Sequence, residues 1–98
     1  MRVGIVAAPR PLDGTTSVAA RLGEIGRLVE ELDYAGFWIT DSIGRGSTSL
    51  DPLALLGAVA AVTREIELGT CVLQIPLRHP VELAHRVMSL DVLSEGRL

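Results

Sequence analysis

The sequence has few of the features that mark secreted, membrane-spanning or nucleic-acid-binding proteins. Its one cysteine, Cys71, excludes an internal disulfide and fits a reducing compartment. No apolar run approaches the roughly 20 residues that a membrane-spanning helix needs, and no signal peptide is visible. Nine basic and twelve acidic residues give a net charge of −3 without a long run of one sign, which disfavours nucleic acid as a partner. We therefore expect a cytoplasmic protein that binds neither membranes nor nucleic acid.

Aromatic residues are also scarce, at 3% of the chain, whereas 48% of the residues are hydrophobic. A chain of 98 residues with this composition can fill the core of one small domain. Apolar runs and helical stripes alternate along it, in the order βαβαβα. We place strands at 2–8, at 37–41 and from 66 onward, and helices from Thr16 or Ser17, from Asp51 and from about 80 to 93. Repeating units of about 30 residues predict parallel strands that are joined by right-handed crossovers.

The apolar patterns also predict which residues face the core. Strand 2–8 is apolar almost throughout, which indicates burial on both faces. The second helix is apolar nearly all round from Leu53 to Val62 and should be well buried. The first helix carries an apolar stripe, and two glycines, Gly23 and Gly26, that weaken it. The stripe consists of Val18, Leu22, Ile25, Val29 and Leu32. For the third helix we expect Val81, Ala84, Val87, Met88 and Leu90 to point inward, with Gly96 as its cap.

Residues 66–80 are the stretch around which the chain is organised. A strand begins at Ile66, and a loop marked by Pro76 leads from it to a third helix that has Pro80 in its first turn. A buried strand that ends in a polar loop before a helix is the βα junction at which α/β enzymes place their chemistry.

Several polar residues near strand ends allow a functional and a structural interpretation. Asp41 and Ser42 form either a ligand-binding pair at the end of strand two or a turn cap, and the turn cap is favoured. For Cys71 a buried position in the core is the default. Arg78 and His79 are expected at a solvated helix entry.

The remaining candidates are weaker still. His85 should lie on the surface or at an interface. The two histidines are six residues apart and do not have the spacing of paired metal ligands, so no metal site is expected. The loop around Gly44 and Gly46 is more typical of a mobile loop than of a phosphate site.

Taken in order, several phrases of the chain resemble the luciferase-like flavin-dependent monooxygenase family, which includes oxidoreductases that use the deazaflavin F420. The phrases are residues 37–42 (FWITDS), 51–56 (DPLALL), 60–64 (AAVTR), 66–73 (IELGTCVL), 77–80 (LRHP) and 90–98 (LDVLSEGRL). The resemblance implies a TIM barrel, which needs about 250 residues. Residues 1–98 would then be a single partial domain, an N-terminal (βα)3 portion with parallel strands.

Two positions depart from the family pattern. Many members carry a histidine where Ser42 stands, so its proton-relay role is not carried over, although some F420-using relatives have Asp-Ser here. Asp33 stands where the family usually has a glycine after the first helix, and aspartate tolerates the left-handed conformation better than most residues.

The resemblance also implies a function and a site. The parent enzyme would bind F420 or FMN and move a hydride to or from a small organic substrate, or use reduced flavin to activate oxygen. Asp41 and Ser42 would be catalytic, and Asp41, Thr70, Cys71 and Val72 would bind the cofactor. F420-using relatives have a bulge with a non-proline cis peptide at the position of Cys71–Val72. The usual phosphate-binding positions lie beyond Leu98, so residues 1–98 alone should bind the cofactor poorly and be inactive.

A second interpretation is a non-catalytic α/β interaction module. Three βα units leave strand edges unpaired, and such edges invite pairing with another chain. In either case we expect association with a further copy of the chain.

Overall fold

The computed structural model describes residues 1–10, 17–44, 46 and 49–98, in which three strands and three helices alternate. The strands are β1 (Gly4–Ala7), β2 (Gly36–Ile39) and β3 (Glu67–Thr70). The helices are α1 (Val18–Glu31), α2 (Pro52–Ala60) and α3 (Pro80–Leu93), and a short 3₁₀ helix (Ile75–Leu77) precedes α3. All strands run parallel in one sheet, in the order β1-β2-β3. The predicted α/β fold with parallel strands is confirmed.

The register of the sheet brings the carboxyl ends of the three strands level. Ala7, Ile39 and Thr70 form the last paired row. Beyond it, the amide of Thr40 donates to Ala7 O at 3.0 Å and the amide of Cys71 donates to Ile39 O at 3.0 Å. Residues that follow β2 and β3 therefore start from neighbouring points at one end of the sheet.

The core lies between one face of the sheet and the helices. Phe37, Ile39 and Leu68 project from that face and are at most 3% exposed. The largest helical contribution comes from α2, as its nearly uniform apolarity predicts. Its core residues are Leu53, Leu55, Leu56, Val59 and Ala60.

The opposite, open face of the sheet is built around a tryptophan. A Cβ atom added to Gly69 would lie 2.6 Å from Nε1 of Trp38, and Gly4 and Gly36 also approach the indole too closely to accept a side chain. The glycines of three strands thus make room for one large ring. Val6 on the same face is 55% exposed. The prediction that the first strand is buried on both faces is therefore wrong, because β1 is an edge strand and the helices cover only the other face.

The glycines of α1 serve close helix packing. Gly26 is buried against α2, and a Cβ atom there would lie 2.9 Å from Cγ1 of Val59. Leu22 and Val29 are buried as predicted, but Ile25 and Leu32 are 39% and 60% exposed. The inward face of α1 is thus rotated from the predicted stripe toward the glycines. Ser17 caps the start of α1, since its Oγ accepts from the amide of Ala20, while Thr16 lies outside the described residues.

Helix α3 has the predicted bounds but a different buried face. Leu83, Val87 and Leu90 contact the core, whereas Val81 and Met88 are 71% and 69% exposed. Ala84 is exposed as well. The assignment of Val81, Ala84 and Met88 to the interior is therefore wrong. Apolar residues occupy more than one face of this helix, and only its packing against α2 decides which face is buried.

The turns that follow α1 and α3 use the left-handed backbone conformation. Asp33 has a φ of 59° and Gly96 a φ of 77°, as expected for residues that cap a helix in this conformation. Asp33 thus adopts the left-handed conformation that aspartate was expected to tolerate at this position.

A carboxylate at the end of α1 organises the turn that leads into β3. Oε1 of Glu30 accepts hydrogen bonds from the amides of Arg64, Glu65 and Ile66 at 2.7, 2.6 and 3.2 Å. Burial alone would raise the pKa of Glu30, but the three amide donors and Arg97 outweigh it and hold this pKa below its ordinary value of 4.5.

We expect Glu30→Gln to lower the free energy of unfolding by about 1–2 kcal/mol at neutral pH, because charge-assisted bonds become neutral ones. The lowered folded-state pKa means that the contribution of Glu30 is complete above its unfolded pKa and is lost as the pH falls through the folded value. Urea unfolding of both proteins from about pH 7 to about pH 3.5 should therefore show the difference shrinking toward acid. Parallel pH profiles would contradict this role of Glu30.

The open face and the two strand edges predict self-association. Val3 and Val6 at β1 and Val72 after β3 are 46%, 55% and 69% exposed. In the described chain no further strand pairs with the outer edge of β1 or β3, although the amide of Leu68 on the β3 edge donates to Arg97 O at 2.8 Å. Exposed apolar area and unpaired edges drive association. Sedimentation velocity at micromolar concentrations should show dimers or larger species, and a stable monomer over that range would contradict the prediction.

Candidate functional site

The candidate site lies where the chain leaves β2 and β3, at the carboxyl end of the sheet. Asp41 and Ser42 follow β2, and Cys71 and Val72 follow β3 directly after Thr70. The parallel register brings these two segments side by side. The sequence separates them by about 30 residues, so only the sheet unites them.

Asp41 joins the two segments. Its side chain is 1% exposed, and Oδ2 accepts from the amide of Gln74 at 2.9 Å and from Nη2 of Arg78 at 2.8 Å. The side-chain amide of Gln74 donates in turn to the backbone oxygen of Asp41 at 2.9 Å. The observed partners lie 33 and 37 residues along the chain, so Asp41 connects strand ends and the turn-cap interpretation is wrong.

Arg78 is the centre of the charged network. Its side chain is 10% exposed, and Nη1 donates to Oδ2 of Asp51 at 2.9 Å while Nη2 donates to Asp41. The hydrogen bond to Asp41 raises the pKa of Arg78 above its ordinary value, although burial by itself would lower it. The expected solvated position of Arg78 is therefore wrong, whereas its neighbour His79 is exposed as predicted.

Asp51 ties the same network to α2. Its Oδ1 accepts from the amide of Ala54 at 3.0 Å and caps the helix, as the Asp-Pro start predicts. Arg86 of α3 approaches Oδ2 at 3.5 Å. Burial would raise the pKa of Asp51, but the Ala54 amide and the two arginines outweigh it, and the pKa is lowered. Two carboxylates and two guanidinium groups thus leave this region close to neutral.

Cys71 and Val72 form an exposed rim beside the buried network. Val72 is 69% exposed, and Cys71 is exposed as well, so its expected place in the core is wrong. Cys71 lies just past the end of β3, where the chain leaves the covered part of the sheet. The peptide bond between Cys71 and Val72 is cis, as the family resemblance implies. Thr70 is half-buried.

Ser42 follows Asp41 and does not belong to the rim. It is half-buried and lines a small cleft together with Pro9, Thr40 and Leu55. His85 is exposed, as predicted, in a groove between α2 and α3 on the helical side of the fold. Among the described residues, no group of three or more His, Cys, Asp or Glu side chains could hold a metal ion. No described helix is long and apolar enough to cross a membrane.

Sequence reasoning missed Gln74 and Arg78 as parts of the site. Both belong to the loop before α3, and their partners Asp41 and Asp51 lie 27 to 37 residues earlier. The available signal was that two aspartates follow one strand end while an arginine follows the next. In a parallel sheet such residues meet at the same end.

A parallel sheet with its polar and exposed residues at the carboxyl ends is the arrangement of α/β enzymes that bind ligands there. The model of the family described as luciferase-like monooxygenase matches residues 1–98. The chain therefore belongs to the luciferase-like monooxygenase family.

Curated and solved relatives agree with this assignment. The limonene 1,2-monooxygenase of Rhodococcus erythropolis is 37% identical over 75 residues, which are 72% of this chain and 19% of the relative. The monooxygenase RslO1 from Streptomyces bottropensis superposes with a TM-score of 0.85 at 29% identity, over 100% of this chain and 31% of the relative. The chain thus spans 19% and 31% of the length of these two relatives.

Two further solved structures, with lower identity, show the same fold. One is the coenzyme F420-dependent tetrahydromethanopterin reductase from Methanopyrus kandleri, with a TM-score of 0.80 at 23% identity over 98% of this chain and 25% of that one. The other is the oxygenating constituent of 3,6-diketocamphane monooxygenase from Pseudomonas putida in complex with FMN, with a TM-score of 0.83 at 20% identity over 99% and 28%. Neighbours of this fold therefore include one F420-dependent and one FMN-bound enzyme.

Proposed function

We propose that residues 1–98 contribute the first three βα units, a single partial domain, to a luciferase-like oxidoreductase or monooxygenase that uses FMN or F420. Its substrate is a small organic molecule, and a reducing cytoplasm suits its exposed cysteine. Membership in the family supports the enzyme class. The observation that carries the site is the exposed rim of Cys71 and Val72 at the carboxyl end of the sheet, beside a buried ion pair.

The residues at this rim fit a planar cofactor ring. Val72 offers an uncovered aliphatic side chain, and the adjoining charges are paired, so that a ring there meets no isolated charge. Thr70, Cys71 and Val72 would contact the ring from β3, and Ser42 would do so from β2. Asp41, whose side chain is 1% exposed, would act by holding the rim in place. Ser42 would bring its hydroxyl group toward the substrate. When bound, the cofactor supplies the hydride or oxygen chemistry, and these residues position and shield it.

The test uses the translation product of the complete gene together with the 98-residue chain. Each is titrated with FMN and with F420, and binding is followed by cofactor fluorescence and visible absorbance. We expect the complete product to bind one of the two cofactors at micromolar concentrations or below, and the 98-residue chain to bind it at least about tenfold more weakly. Binding of neither cofactor by the complete product would favour the interaction module.

A pair of exposed valines gives a matched control for the position of the site. Val72 and Val81 are 69% and 71% exposed, but Val81 lies in the first turn of α3 and is not part of the rim. In the complete product, Val72→Asp should weaken cofactor binding by about tenfold or more, because the ring would meet an unpaired charge. Val81→Asp should change it by less than about twofold. Equal effects of the two substitutions would remove Val72 from the proposed site.

A further inference from the structure

The backbone from Cys71 to Gln74, which includes the rim, is held by hydrogen bonds at both ends. At its start the amide of Cys71 donates to Ile39 O at 3.0 Å, which keeps Cys71 against β2. At its end Gln74 is bound twice to Asp41, through its own amide and through its side chain. Only Val72 and Leu73 lie between these anchors. The position of Asp41 therefore determines the backbone conformation of the rim.

Arg78 in turn holds that carboxylate. Asp41 is almost fully buried, and Arg78 supplies its charged partner at 2.8 Å. Nη1 of Arg78 also donates to Asp51 at the start of α2. Arg78 thus connects Asp41 to a helix, while Gln74 connects it to the rim. A planar guanidinium can make both contacts at once, which a lysine ammonium on its flexible stem cannot reproduce.

We propose that Arg78 is a positioning residue of the cofactor site: by fixing Asp41 it fixes Gln74, and so places Cys71 and Val72 against the cofactor ring. This proposal rests on the proposed function, because it assumes that the ring lies at the rim. It assigns Arg78 an effect on binding and turnover although the hydrogen-bond partners of its side chain are Asp41 and Asp51.

The chain offers a close control in Arg86. This arginine also approaches Asp51, at 3.5 Å, and pairs with Glu82 at 2.6 Å, but it is not paired with Asp41. Arg78→Met and Arg86→Met make the same chemical change in the same charged cluster.

The first measurement needs no cofactor. Cys71 is the single cysteine and is exposed, so a trifluoromethyl label can be attached to it in the 98-residue chain and observed by fluorine NMR. Arg78→Met should shift and broaden the label signal, while Arg86→Met should leave it close to that of the parent chain. If Arg78→Met does not fold, Arg78→Lys gives the same comparison. An unchanged signal in a folded Arg78 variant would overturn the proposal.

The second measurement uses the complete translation product and the cofactor that it binds. Arg78→Met should raise the dissociation constant and lower kcat/KM of the folded fraction by about tenfold or more, as small displacements of positioned groups do. It should also alter the visible spectrum of the bound cofactor, whereas Arg86→Met should change none of these by more than about twofold. A loss of thermal stability with unchanged affinity and spectrum would show that Arg78 acts on the fold alone. If the parent protein binds neither cofactor, the proposed function fails, and the NMR comparison still decides the positioning role.

Discussion

Replacing Asp41 by alanine is expected to lower the free energy of unfolding of the 98-residue chain by about 3–5 kcal/mol. The reason is the unpaired charge: the Arg78 side chain is 10% exposed, and among the described residues Asp51 would be the one carboxylate partner left to its guanidinium. Gln74 would lose the acceptor of its amide as well. A loss of this size is a large part of the stability of a small domain.

The measurement for Asp41 is urea unfolding followed by the fluorescence of Trp38, the single tryptophan, at one fixed protein concentration. Asp91→Ala is the control, because Asp91 is an exposed aspartate on α3 and its removal should change stability by less than about 0.5 kcal/mol. An Asp41 variant that is no less stable than the Asp91 variant would contradict the prediction.

The double variant Asp41→Ala/Arg78→Met tests whether the cost arises from the unpaired charge. With both charges gone, no isolated ion remains, so the loss should be smaller than the sum of the two single losses by about 1–3 kcal/mol. Additive losses would show that the two residues stabilise the fold independently.

Replacing Arg97 by methionine should cost about 2–4 kcal/mol of unfolding free energy, because several polar groups would lose their partner together. The guanidinium donates to Oγ1 of Thr63 at 2.9 Å and to four backbone oxygens at 2.7–3.3 Å. These oxygens belong to Ala60, Thr63, Ile66 and Ser94. Methionine fills a similar volume but donates no hydrogen bond.

Arg2 provides the matched control for Arg97. It pairs with Glu67 at 2.7 Å, but its side chain is 72% exposed, and exposed ion pairs stabilise proteins little. Arg2→Met should therefore change the free energy of unfolding by less than about 1 kcal/mol. Equal losses for the two arginine variants in urea unfolding would show that Arg97 is not a structural centre of the turn between α2 and β3.

The first three βα units and their order could be predicted from sequence because the signals are local. Asp51 followed by Pro52 starts α2 wherever the helix packs, since the cap and the fixed proline φ act within one turn. The bounds of α3 were likewise predictable from neighbouring residues, whereas the left-handed turn at Asp33 was expected from the family resemblance. The family followed from the order and spacing of several short phrases and is confirmed by the family model.

Burial was predicted less well, because periodicity gives an apolar face but not the element that covers it. Helix α3 carries apolar residues on several faces, and its packing against α2 selected Leu83, Val87 and Leu90. Strand β1 is apolar throughout, yet the sheet places it at an edge with one face open. The same reasoning expected Cys71 in the core, although β3 ends one residue before it.

The sequence by itself determined the parallel α/β order, the helix starts and the position of Asp41, Ser42, Thr70, Cys71 and Val72 near strand ends. Only the tertiary structure decided what Asp41 contacts, because Gln74 and Arg78 reach it across 33 and 37 residues. The stabilisation from caps and turns depends on neighbouring residues and can therefore be predicted from the sequence. An ion pair exists only after the sheet has brought β2 and β3 together, and once it is buried the removal of one partner leaves a costly unpaired charge.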